Sequence, residues 1–298
     1  MKVHPVFVPV EGDHVAATIS LPDGQARGLA VLLQGFGATR SHRNRLWTRT
    51  SAALAARGIA SVRLDYPGLG DSTGDRVHSM QQPPVRAVAA AIRVALAAAS
   101  VDTYCVVGNC LGARTALLTA ERVPRCVGVG LILPGDLDSI VREQPSRVRG
   151  SVLKQIVRGI KPLRRLAHLV GNRTKGRSIP LMPEVEALMD TVHMLILFIG
   201  SPERWRRLEP VLDARTRRSA SQERVERVFV PASGTHGLQP LSSQEAVLRA
   251  VPDWVDRVLS GVASRSRGAA AQGMGGGLSN HEGGVSVHVD ERLGASSP

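Results

Sequence analysis

Short, uninterrupted apolar runs alternate with helix-length segments along most of this 298-residue chain, and that alternation limits the fold more than any other feature. Leu29 to Leu33, Ile59 to Leu64, Thr103 to Val107, Val127 to Leu133, His193 to Ile199 and Val225 to Val230 read as strands. Leu29 to Leu33 is apolar without interruption, so it is expected to be covered on both faces, as in a parallel sheet. The intervening segments read as helices: Asn44 to Arg57 closed by Gly58, Pro83-Pro84 leading to Ala99, Leu111 to Arg122, Glu203 to Thr216, and Ser243 to Leu259 bent at Pro252. Ahead of them, Val3 to Val10 and Val15 to Leu21 flank Glu11-Gly12-Asp13 and form a hairpin. Strand, helix, strand, helix predicts an α/β fold with a mostly parallel, doubly covered sheet.

The alternation breaks once. Asp136 to Val192 is far longer than an ordinary connection and is expected to be an inserted helical cap. The core is thus assigned to residues 1–135 and 193–260 and the cap to 136–192. Residues 261–298 are expected to form a flexible Gly/Ala/Ser-rich tail, with Val285, Val287 and Val289 as a weak strand pattern. Apolar residues make up 43% of the chain, enough for a full core. No run approaches the ~20 apolar residues of a bilayer-spanning helix, and Met1 to Val10 lacks the apolar core of a secretory signal, so the cytoplasm is the expected compartment.

Three cysteines without a Cys-x-x-Cys pair argue against both a disulfide framework and a zinc site. No metal or cofactor is implied. Cys105 and Cys126 lie in or beside apolar strands and read as core residues. Cys110 is different. It stands in Gly108-Asn109-Cys110-Leu111-Gly112, between a strand and a helix, where a Gly-x-Ser-x-Gly nucleophile turn would place its serine. Such a turn needs glycine on either side because the central residue is strained and its side chain projects above the sheet. The helix N–H groups behind it favour negative charge, and the thiolate is the nucleophilic form.

A thiolate needs a base, and the carbonyl it attacks needs oxyanion donors. His236, in Pro231-Ala232-Ser233-Gly234-Thr235-His236-Gly237, follows the last strand and is the candidate base. The backbone N–H groups of Leu111, after the nucleophile, and Phe36, in Gln34-Gly35-Phe36-Gly37, are the candidate oxyanion hole. Glu203 gives the order nucleophile, acid, base, although a glutamate in a helix's first turn is also favoured by the dipole alone. Asp136 is the alternative acid.

From Val15 to Leu259 this arrangement resembles the α/β-hydrolase fold, most closely the serine-aminopeptidase-like (monoacylglycerol-lipase-like) subgroup. Arg63-Leu64-Asp65-Tyr66-Pro67-Gly68-Leu69-Gly70-Asp71-Ser72 resembles the subgroup's Asp-x-x-Gly-x-Gly-x-Ser turn. The chain is also similar to hydrolases associated with exosortase systems and, through its cysteine, to dienelactone hydrolases. It departs from the common pattern in carrying cysteine for serine and Gln34 where a His-Gly motif has histidine. The resemblance implies an enzyme that cleaves or transfers an acyl group through an acyl-enzyme.

Net charge is +13, and residues 141–178 contribute +10 of it. Arg142, Arg147, Arg149, Lys154, Arg158, Lys161, Arg164, Arg165, Arg173, Lys175 and Arg177 make the cap strongly basic. Such a cap attracts anions: an acidic carrier protein, coenzyme A phosphates, or a membrane surface reached through Val152, Ile156, Val157, Ile160 and Leu163. Few aromatics accompany the basic run, which argues against base stacking and nucleic acid. The expected activity is therefore hydrolysis or transfer from an ester or thioester by a Cys-His-acid triad. The competing reading is a non-catalytic module of the same fold whose basic cap docks an acidic partner.

Overall fold

The computed structural model describes residues 1–76, 78–134, 181–217, 222–232 and 238–273, with side chains to residue 265. Eight strands form one sheet in the order β1-β2-β4-β3-β5-β6-β7-β8. They are β1 (Lys2–Val10), β2 (Asp13–Leu21), β3 (Leu29–Leu33), β4 (Ala60–Leu64), β5 (Tyr104–Asn109), β6 (Cys126–Pro134), β7 (His193–Gly200) and β8 (Val225–Pro231). β1, β2 and β4 pair antiparallel in sequence across the sheet, and every pair from β4 to β8 is parallel. The β1–β2 hairpin closes through Glu11 at φ 51° and Gly12 at φ 91°. Two successive positive φ values are what a two-residue turn between right-twisted strands requires.

Six helices are described: α1 (Leu46–Ala55), α2 (Val85–Ala99), α3 (Leu111–Arg122), α4 (Pro183–Thr191), α5 (Pro202–Thr216) and α6 (Leu241–Gly273). They cover both faces of the sheet, as the apolar runs predict. Along β3, Leu29, Val31 and Leu33 pack on one side with Val88 of α2 and Leu117 of α3. Ala30 and Leu32 pack on the other with Leu54 of α1 and Val255 of α6. All five strand residues are fully buried. At about 25 cal/mol per Å² of apolar area, this two-sided burial is the main force holding the sheet together. No described helix is long and apolar enough to cross a membrane.

Two boundaries differ from the sequence expectation. The helix foreseen from Asn44 to Arg57 begins with a short 3₁₀ turn, Arg43–Arg45, and α1 itself starts at Leu46. His42, Asn44 and Arg45 all have positive φ, a left-handed backbone that cannot continue into an α-helix, so the helix starts only after them. The last helix runs beyond Leu259 to Gly273. Alanine and polar residues there sustain helix despite the glycine content. Residues 136–180 of the expected cap lie outside the described residues, as do Val285, Val287 and Val289. The rest of that segment is described: Leu181 is buried, and α4 packs Val185, Leu188 and Met189 into the same core cluster as the sheet.

Candidate active site

Cys110 ends β5 and begins α3 with φ 52° and ψ −121°. An L residue pays steric strain in that conformation, of order 1–3 kcal/mol. The flanking glycines show what imposes it. A Cβ on Gly108 would lie 2.2 Å from the Gly112 carbonyl oxygen, and one on Gly112 would lie 2.5 Å from that of Leu33. Strand and helix can therefore approach closely enough to make the sharp turn only with glycine at both positions. Cys110 is half-buried and lines an open cleft of about 760 Å³.

The loop after β3 forms the opposite lip of that cleft. A Cβ on Gly35 would meet Asn109 Nδ2 at 2.8 Å and Cys110 Cβ at 3.3 Å, so this loop lies directly against the turn. The Phe36 and Leu111 N–H groups have no hydrogen-bond partner among the described residues. Loop position is held from beneath. The Tyr66 hydroxyl, fully buried, donates to the Gln34 carbonyl at 3.0 Å, and Gln34 Nε2 donates to the Leu64 carbonyl at 2.7 Å. Burial raises the Tyr66 pKa, so the phenol stays a neutral donor. Gln34, which stands where the resembled motif has histidine, thus turns toward the end of β4.

Other predicted residues fall as follows. Glu203 is exposed in the first turn of α5, just beyond the C-terminal end of β7. Ser201 caps that turn, its hydroxyl accepting from the Arg204 N–H at 3.3 Å. His236 and Asp136 lie outside the described residues. The segment carrying His236 is bounded by Ala232, whose N–H donates to the Gly200 carbonyl, and by Gln239, which lines the same cleft as Cys110. Among the described residues no cluster of His, Cys, Asp and Glu could hold a metal ion.

Several cleft residues escaped sequence reasoning: His42, Arg43, Asn109 and Gln239. No local pattern distinguishes them, because they reach the cleft only through the fold. His42 packs edge-on against Trp47, and its Nδ1 is buried without a partner. Burial, reinforced by Arg43, lowers its pKa from 6.5 to about 4. A histidine held neutral in the native state charges first in the unfolded state, so its contribution to stability is complete above pH 6.5 and lost between 6.5 and about 4. Denaturant titrations should show stability falling by on the order of 3 kcal/mol across that window, with a smaller fall in His42→Gln.

The other two thiols behave as core residues. Cys105 is buried and its thiol pKa is raised by that burial. Cys126 is pushed up to about 12, again chiefly by burial. Iodoacetamide at neutral pH is expected to modify Cys110 in the native protein and to reach Cys105 and Cys126 only on unfolding. Peptide mapping would check this; labelling of Cys105 at the rate of Cys110 would contradict it.

No protein-family model and no curated protein matches the chain. Solved structures do. An esterase from Pyrococcus furiosus aligns with a TM-score of 0.56 at 13% identity, covering 87% of this chain and 91% of its own. A protein of unknown function from Agrobacterium tumefaciens, described as a candidate α/β hydrolase, gives 0.53 at 15% identity, over 87% and 97%. Est1E from Butyrivibrio proteoclasticus, solved with ferulic acid bound, gives 0.54 at 13% identity, over 86% and 99%.

Proposed function

We propose that this chain, which has the α/β-hydrolase fold, is an acyl-transfer enzyme with Cys110 as its nucleophile. The observation that carries the reading is the strained Cys110 turn at the N-terminus of α3, facing a cleft whose other lip is the Gly35-Phe36 loop. Few structural roles would sustain a positive-φ cysteine at that point.

In this mechanism His236 takes the Cys110 proton and the sulfur attacks the carbonyl carbon of an ester or thioester. A C–S bond forms while the carbonyl π electrons move to oxygen, where the Phe36 and Leu111 N–H groups receive the charge. The tetrahedral intermediate collapses, the bond to the leaving oxygen or sulfur breaks, and the histidinium returns its proton to that atom. Water or another acceptor, deprotonated by His236, then attacks the acyl carbonyl, the C–S bond breaks, and the histidinium returns the proton to the Cys110 sulfur. Since the intermediate is itself a thioester, exchange with a thioester substrate is nearly isoenergetic. Sequence position supports His236 as base: it follows β8 and stands three residues before cleft-lining Gln239. Glu203 is the proposed acid and Asp136 the alternative. Loss of activity in Glu203→Gln but not Asp136→Asn would assign the role to Glu203.

Intact-protein mass spectrometry tests the reading after incubation with acyl thioesters and short p-nitrophenyl esters. The expected result is an acyl adduct that is absent in Cys110→Ala and forms slowly in His236→Ala. Its decay in water against added amines distinguishes hydrolase from transferase. Absence of any adduct and any turnover would favour the binding module with a basic cap.

A further inference from the structure

The mouth of the cleft carries positive charge that the described residues do not neutralise. Arg43 is exposed and lines the cleft. Arg76 places its guanidinium carbon 4.9 Å above the ring of Phe36, which also lines the cleft and is 57% exposed. Neither arginine makes an ion pair with a described residue, whereas neighbouring Arg40 is paired with both Asp65 and Asp71. His42 and His78 stand close to these arginines in the chain. Their pKa values are lowered first by burial, and then His42 by Arg43 and His78 by Arg76. Exposed guanidinium groups without a described ion-pair partner leave this lip positive and open to an anion.

We propose that Arg43, which lines the cleft with Phe36, and Arg76, which lies over the Phe36 ring, form a subsite for the phosphate-bearing pantetheine arm of an acyl thioester. This assignment rests on reading Cys110 as the nucleophile. With the carbonyl oxygen between the Phe36 and Leu111 N–H groups, the leaving thiol departs along the Phe36 lip toward the two arginines. The guanidinium forks match phosphate oxygens, and the Phe36 face covers the apolar part of the arm. A small neutral ester would use neither arginine. The same phosphopantetheine chemistry occurs in coenzyme A and on carrier proteins, and the subsite reads the arm they share.

The test uses the full chain in three forms: wild type, Arg43→Gln/Arg76→Gln, and Arg93→Gln as an exposed control on α2. Calorimetry would compare desulfo-coenzyme A, unphosphorylated pantetheine and a carrier protein bearing its phosphopantetheine arm. Expected is tighter binding of a phosphorylated form than of pantetheine, lost by roughly tenfold or more in the double variant and retained in the control. With acyl-coenzyme A, KM should rise by a similar factor in the double variant, several-fold more than any loss on p-nitrophenyl acetate, while Arg93→Gln leaves both activities unchanged. Arginine-dependent binding of the carrier protein alone supports the subsite and names its source. Equal binding of pantetheine and both phosphorylated forms, or equal losses on all substrates, overturns it. Because binding is measured without turnover, a wild type that binds desulfo-coenzyme A through these arginines but forms no Cys110 adduct would refute the catalytic reading and leave the subsite standing.

Discussion

Cys110→Ala is expected to abolish acyl-enzyme formation and to lower thioester turnover by about 10,000-fold or more, as removal of a covalent nucleophile does elsewhere. The fold should survive, since Cys110 is half-buried at a turn rather than in either core cluster. Cys110→Gly should be equally inactive and more stable than the wild type by about 1 kcal/mol, because glycine adopts φ 52°, ψ −121° without Cβ strain and this gain exceeds its extra chain entropy. A residue kept for packing would give the opposite sign. Denaturant midpoints of the three proteins measure this directly. A destabilised glycine variant would show that the turn is not strained, and an alanine variant with native turnover would remove Cys110 from the mechanism.

The second large effect is on stability. Asp65 is fully buried after β4, and its carboxylate accepts from the Arg40 N–H at 2.5 Å, from the Arg40 guanidinium and from the Asp71 N–H at 3.2 Å. Its own carbonyl accepts from the Ser72 hydroxyl at 2.8 Å. One side chain therefore joins the loop after β3, which carries the proposed oxyanion donor, to the glycine-rich turn that follows β4. Gly70 packs against it so closely that a Cβ there would lie 2.2 Å from Asp65 Oδ2. Asp65→Ala would leave Arg40, whose side chain is only 24% exposed, beside an emptied pocket with two backbone donors unsatisfied. Breaking a buried pair on one side costs 3–5 kcal/mol, and the partial exposure of Arg40 places the expected loss near about 3 kcal/mol. A denaturation midpoint within error of the wild type would contradict this. Replacing Asp65 with Asn should cost less, since an amide still accepts from two of the three donors.

Much of the architecture was legible because each signal was local. Leu29 to Leu33 and His193 to Ile199 are apolar without alternation, and only strands buried on both faces need that composition. Leu111 to Arg122 begins and ends as read, because the turn before it and the basic residue at its end are both adjacent in sequence. The start of α1 was misplaced for the converse reason. Positive φ at His42, Asn44 and Arg45 accompanies the placing of His42 and Arg43 in the cleft wall, which no neighbouring residue announces.

The same division runs through the site. From sequence alone came the nucleophile turn, since Gly108 and Gly112 flank Cys110 within a five-residue window and steric exclusion acts at that range. Phe36 and Leu111 followed from their position after a strand and after the nucleophile. Tertiary structure alone decided that Gly35 touches Cys110, that Tyr66 steadies the Gln34 carbonyl, and that His42, Arg43 and Gln239 share one cleft with Cys110 although they are distant in the chain. Those groups converge because parallel pairing of β3 with β5 brings distant strand ends to one edge of the sheet. Local patterns record what a residue's own backbone must do; which side chains meet is set by strand order, through contacts that span the whole chain.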